Sequence, residues 1–212
     1  MDGKLEKPFA MAGKKVWVAG QSGMVGSASV KRLEIEDCEI ISTSRAQLEL
    51  RDQGAVRKWM YRERPDIIVV AAATVGGILA NSTRPAQFLY DNLVIETNII
   101  HGAYEVGVEK LLFLGSACVY PREAPQPVPE EALLTGPLEP TNQWYAIAKI
   151  SGIKLCEAYK KQYGCDFISA QPNNLYGQGD NFGLHSSHVI PALMVKAHNA
   201  KINQEASMQI WG

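Results

Sequence analysis

Lys15-Val16-Trp17-Val18-Ala19-Gly20-Gln21-Ser22-Gly23-Met24-Val25-Gly26 is the stretch that decides the fold. Its first five residues form a short apolar run that reads as a buried strand. Three glycines follow at G-x-x-G-x-x-G spacing, and Val25, Val30 and Leu33 then repeat at helical period. Strand, glycine turn and helix in that order make a phosphate cradle. The glycines permit a tight turn and close backbone approach, and the helix start offers free amides to a pyrophosphate. The stretch therefore predicts dinucleotide binding by residues Gly20, Gln21, Ser22, Gly23, Met24, Val25 and Gly26.

Downstream, the same alternation of strand and helix repeats. Cys38-Glu39-Ile40-Ile41-Ser42 reads as a second strand, residues 52–63 as a helix closed by Pro65, and Asp66-Ile67-Ile68-Val69-Val70-Ala71 as a third strand. Ala72-Ala73-Thr74-Val75-Gly76-Gly77-Ile78 is a turn of small residues. Pro85 suits the first position of a long helix whose buried set runs from Phe88 to Val106. Lys110-Leu111-Leu112-Phe113-Leu114-Gly115 is a fourth strand, residues 121–143 a Pro- and Glu-rich loop, and the next helix ends near Tyr163. Asp166-Phe167-Ile168-Ser169-Ala170 is a fifth strand, and a last helix ends near 201. Strands alternating with helices predict an α/β, Rossmann-like doubly wound parallel sheet. Its parts are a flexible lead-in over 1–13, a nucleotide domain over 14–171, and the start of a second lobe over 172–212.

Composition narrows the partners. At 212 residues and 46% hydrophobic, the chain can bury one sizeable core. A net charge of −1 with intermixed signs predicts neither a nucleic-acid nor a membrane surface. No apolar run reaches the ~20 residues that span a bilayer. Cys38, Cys118, Cys156 and Cys165 lack metal-ligand spacing and read as reduced thiols of a cytoplasmic protein.

The second strand ends where an adenosine ribose would lie. An acid there binds the free 2′-hydroxyl of NAD, whereas Ser42-Thr43-Ser44-Arg45 offers hydroxyls and a guanidinium. That predicts NADP (NADPH), with Arg45 on the 2′-phosphate. Tyr145 and Lys149, in Tyr145-Ala146-Ile147-Ala148-Lys149, lie one helical turn apart. A nearby ammonium favours phenolate and draws the tyrosine toward its working range. Ser116 and Cys118 follow the fourth strand, at the carboxyl edge where such sheets bind ligands.

Taken together, these residues resemble the GDP-L-fucose synthase family of extended short-chain dehydrogenase/reductases, for which this glycine spacing is typical. The resemblance is carried by residues 20–26, the Ala73–Ile78 turn, Gly115-Ser116-Ala117-Cys118-Val119-Tyr120-Pro121, Leu138-Glu139-Pro140-Thr141-Asn142, Tyr145 to Lys149, Asn174-Leu175-Tyr176-Gly177 and Ser187-His188-Val189-Ile190-Pro191. It implies NADPH-dependent conversion of GDP-4-keto-6-deoxy-mannose to GDP-L-fucose, by epimerisation at carbons 3 and 5 followed by reduction at carbon 4. Cys118 and His188 would then be the epimerising acid/base pair. Tyr145 would protonate the 4-oxygen, Ser116 would bond to the ketone, and Lys149 would hold the nicotinamide ribose. Leu114, Gly115, Ala117, Pro172, Asn173, Asn174, Leu175 and His188 would line the cofactor; Lys196 and Trp211 would reach substrate. The resemblance also implies a homodimer built on the two long helices, and an Asn98 that supports the lysine.

Ser22, Asn173 and Lys196 depart from the usual family residues. Family members also run on by roughly another hundred residues, so the sequence reads as a fragment or a shortened relative with little turnover of its own. Two other readings stay open. One is a different sugar-nucleotide epimerase or dehydratase, which would lack the Cys118/His188 pair. The other is a non-catalytic NADP-binding relative.

Overall fold

The computed structural model describes residues 9–183 and 187–210. Five parallel strands form one sheet: β1 (Lys14–Ala19), β2 (Cys38–Ile41), β3 (Ile67–Val70), β4 (Lys110–Leu114) and β5 (Phe167–Ala170). Their spatial order is β2-β1-β3-β4-β5, with Val16 opposite both Ile40 and Ile67. From β1 the chain steps outward to β2, then crosses back to β3 and runs the other way. The crevice between the carboxyl ends of β1 and β3 is therefore the switch point where open α/β sheets bind ligands.

Handedness distributes the helices. Right-handed crossovers put α1 (Met24–Leu33) on one face, and α2 (Gln53–Glu63), α4 (Pro85–Val106) and α5 (Gln143–Tyr163) on the other. The contacts agree: α4 packs along α5 and also touches α2, whereas α1 touches only β1 and β2 among its substantial neighbours. On the three-helix side Trp17, Ile68, Leu111, Phe113 and Phe167 are buried among Met60, Ile99, Ile100 and Ile153. Alternation along β4 and β5 leaves the opposite face less covered, with Leu112 and Leu114 part-exposed and Ile168 exposed.

Local chemistry sets the ends of the helices. The Asp52 carboxylate accepts from Ala55 N at 2.9 Å, capping α2, which ends at a left-handed Arg64. Pro85 opens α4, and Gly107 and Gly164 close α4 and α5. Two further α-helices are α3 (Ile78–Thr83), which begins where the expected 72–78 turn ends, and α6 (Val189–Ile202). Within the first of these, Asn81 donates to the Gly76 and Gly77 carbonyls at 2.8 and 3.2 Å and so ties the helix back to the turn before it, while its Gly77 N-cap brings no side chain to the first amides. Part of the expected lead-in, residues 1–8, lies outside the described residues.

Candidate active site

A cleft of about 790 Å³ opens along the carboxyl edge of β1, β3 and β4. Its floor is the turn over residues 20–26. Gly20 has φ +89°, and a Cβ there would lie 2.6 Å from Ala72 N, so β1 and β3 can end this close together only with glycine. A Cβ at Gly26 would fall on the Gly20 carbonyl, 2.7 Å from its carbon. Gly23 differs: its Cβ would meet only Gly20 O at 3.5 Å. Gly23 is also the N-cap of α1 and brings no side chain to the first amides. Those donors face a glycine-lined space, a fit for the pyrophosphate of a dinucleotide.

One wall is the 71–78 turn, held by Asn92. The Asn92 amide accepts from Thr74 N at 2.8 Å and donates to Thr74 O at 3.0 Å and Phe88 O at 2.7 Å. Wholly buried, it takes the place of a missing strand neighbour. Asp91 accepts from the Thr74 hydroxyl at 3.3 Å and from Arg51 Nη1 at 3.2 Å.

At the β2 end Arg45 lines the cleft, its side chain exposed and only 3.7 Å from Glu49 at its nearest. It can therefore turn to a phosphate. Arg51 lines the same end but is held by two 2.9 Å bonds to Glu49. Those hydrogen bonds from Arg51 are what hold the Glu49 carboxyl down at about 2.

The reacting end gathers residues from four elements. Ser116, after β4, caps a 3₁₀ turn over Ala117–Val119 by accepting from Cys118 N at 3.4 Å. Tyr145 and Lys149 come from α5, and His188, exposed, is the N-cap of α6 with its imidazole uncommitted to the cap. All five of Ser116, Cys118, Tyr145, Lys149 and His188 line the cleft, as do Leu114, Gly115 and residues 172–175. Ala117 does not. Its backbone amide donates to Pro172 O at 3.1 Å, tying this turn to the segment after β5. Lys196 is also away from the cleft, donating to the Gln209 carbonyl at 3.0 Å. Trp211 lies outside the described residues.

Two expectations change. Asn98 does not support the lysine: its amide donates to Leu50 O at 2.9 Å. Position 98 lies about 200° around the helix from 96, and it is Glu96 that faces α5. The Lys149 ammonium sits 3.0 Å from Glu96 Oε1, with side chains 3% and 2% exposed. The distance is that of an ion pair, although neither carboxylate oxygen gains a well-angled hydrogen bond.

The second change is electrostatic. Lys149 Nζ is 5.9 Å from the Tyr145 ring centre, and burial, with Cys118 and Glu96 nearby, pushes the phenol up rather than down. Burial likewise raises the Cys118 thiol, against smaller opposing effects of Ser116 and Lys149. Burial thus favours the thiol over the thiolate at Cys118 in this arrangement.

Sequence reasoning missed Asn142 as well as Glu96. Asn142 precedes α5 without capping it, and its buried Oδ1 lacks a partner at the cleft wall. Glu96 had a signal: Asn92, Glu96, Ile99 and Ala103 recur at helical spacing, and all four are buried.

With this geometry in place, comparison with known proteins is decisive. The family model described as "NAD dependent epimerase/dehydratase family" matches residues 16–212. The chain belongs to that family. It is 60% identical over 204 residues to GDP-L-fucose synthase of Sinorhizobium fredii, covering 96% of this chain and 65% of that protein. It is 52% identical over 203 residues to GDP-L-fucose synthase of Escherichia coli, covering 95% and 63%. A solved GDP-L-fucose synthetase from Naegleria fowleri bound to NADP superposes with a TM-score of 0.86 at 30% identity, covering 94% and 62%. The chain thus spans less than two thirds of the length of these relatives.

Proposed function

We propose that the protein to which this chain belongs converts GDP-4-keto-6-deoxy-D-mannose to GDP-L-fucose with NADPH. The observation that carries this reading is the shared cleft: Ser116, Cys118, Tyr145, Lys149 and His188 line the same space as the glycine turn. The similar proteins named GDP-L-fucose synthase, and the NADP-bound structure, support the substrate and the cofactor.

Residues 20–26 would hold the pyrophosphate, Arg45 the 2′-phosphate, and Leu114, Gly115 and residues 172–175 the nicotinamide end. NADPH, when bound, supplies the hydride. The chain's residues handle protons and position. A ketone at carbon 4 acidifies the C–H bonds on both sides, so one carbonyl serves both epimerisations. Removing a proton from one face and returning one to the other needs two groups. Cys118 and His188 would supply that pair, one taking the proton and the other returning it. Ser116 bonds to the ketone oxygen and fixes its place. Tyr145 gives its phenolic proton to that oxygen as it gains charge, and Lys149 steadies the resulting phenolate.

In this reading residues 14–171 form the cofactor domain and 172–210 begin the substrate side. Exposed Tyr90 and Tyr104 on α4, with Trp144 and Ile147 on α5, give the two long helices an apolar outer face suited to a homodimer. The four free thiols suit the cytoplasm. Incubation with NADPH and GDP-4-keto-6-deoxy-D-mannose tests the activity: cofactor absorbance should fall only when both are present. Oxidation without formation of GDP-L-fucose would reject the proposal.

A further inference from the structure

Among the described residues, Glu96 and Lys149 form the ion pair in which both side chains are buried. Removing two charges from water costs several kcal/mol each, so such a pair rarely adds net stability. The surroundings are built to keep it. The ammonium lies 4.5 Å from the Phe113 ring centre, and Gly152 faces the carboxylate. A Cβ at Gly152 would lie 2.9 Å from Glu96 Oε2 and overlap the Phe113 ring. The second carboxylate oxygen is left without a partner. This acid is therefore under-satisfied, close to neutrality in its burial, and one helical turn from Tyr145 through Lys149.

The titratable groups around it are few. From α5 come Lys149, Tyr145 and Cys156, and beyond Lys149 lies Cys118. From β4 comes only the Phe113 ring. While the carboxylate is charged, Tyr145 faces a pair whose net charge is zero, and the lysine does little to favour phenolate. When the carboxyl takes a proton from solvent, the Lys149 charge is uncompensated and its nearest useful partner is the Tyr145 oxygen.

We propose that Glu96 is a positioning residue of this site, its carboxylate holding the Lys149 ammonium in reserve and its protonation releasing that ammonium to Tyr145 and the cofactor. The part concerning cofactor rests on the reading of Lys149 as a ribose ligand; the part concerning Tyr145 does not. Burial already lifts the Glu96 carboxyl to about 7, so the exchange falls in the neutral range. Cofactor binding that draws Lys149 away would raise it further and take up a proton.

The test is the ionisation of Tyr145, followed by NMR of protein labelled at the tyrosine ring carbon bearing oxygen, with Tyr145→Phe used for assignment. In Glu96→Gln the Tyr145 midpoint should fall by about one pH unit or more, and Glu96→Asp should restore much of the wild-type behaviour. An unchanged or raised midpoint in folded Glu96→Gln overturns the proposal. Should that variant fail to fold, the carboxyl carbon of Glu96 in the wild-type chain decides. Its midpoint should rise on saturation with NADPH, and a fixed midpoint overturns the proposal. Absence of NADPH binding to the wild-type chain would instead refute the cofactor reading, and the tyrosine titration would still judge Glu96.

Discussion

Gly26 lies against the carbonyl of Gly20 so closely that a Cβ at Gly26 would sit 2.7 Å from the Gly20 carbon. Gly23, midway between them, meets nothing nearer than 3.5 Å. The two kinds of glycine should fail differently. Gly26→Ala should destabilise the fold by a few kcal/mol, because backbone rather than a yielding side chain stands in the way. Gly23→Val should leave the melting temperature nearly unchanged yet abolish NADPH binding, by filling the space the phosphates need. Calorimetry of both variants, with and without cofactor, separates the effects.

Arg45 is the exposed guanidinium at the ribose end, whereas Arg51 is committed to Glu49 and Asp91. Arg45→Ala should therefore weaken NADPH by roughly tenfold or more, a charge-assisted pair being worth about 1.5–3 kcal/mol. NADH, which lacks the 2′-phosphate, should be little affected. Equal loss for the two cofactors would mean that Arg45 does not touch the 2′-phosphate.

Asn92 supplies three hydrogen bonds to backbone at the cleft wall. Asn92→Leu keeps the size but strands Thr74 N and Thr74 O, at about 1–3 kcal/mol for each group left unsatisfied, while the Phe88 carbonyl keeps its place in the helix ladder. We expect a clear loss of thermal stability together with weaker cofactor binding, since the same turn shapes the cleft. Loss of stability at unchanged affinity would separate the wall from the site.

Glu96 gives a pH signature. Its carboxyl titrates near 4.5 when unfolded and at about 7 when folded. The folded state binds that proton more tightly, so the group's contribution is fully present below pH 4.5 and is lost as pH rises through about 7. Wild type should lose stability relative to Glu96→Gln across that window, measured as the difference in urea midpoints. A flat difference would contradict the raised carboxyl.

Much of this was legible in the residues themselves. Apolar runs bounded on one side by glycine or proline marked β1, β3 and β4 within a residue or two, and the Gly20–Gly26 spacing located the cradle. The order of strands was not legible residue by residue, because it depends on which face each crossover takes. The expectation for Asn98 came from the resemblance and not from the helix pattern, and the packing of α4 on α5 puts Glu96 opposite Lys149 instead. The Tyr145–Lys149 spacing does put both residues on one face of one turn, but their spacing alone does not reveal that Glu96 claims the ammonium.

Division of labour within the cleft is the central claim, and Tyr145→Phe tests it most directly in a protein of the relatives' full length. With GDP-4-keto-6-deoxy-D-mannose in deuterated water, two signals can be followed at once: NADPH oxidation, and deuterium entering the carbons beside the ketone. The account predicts that oxidation falls by ~10²–10⁴-fold while exchange continues, because Cys118 and His188 are untouched. Loss of both signals in a folded, cofactor-bound variant would contradict it.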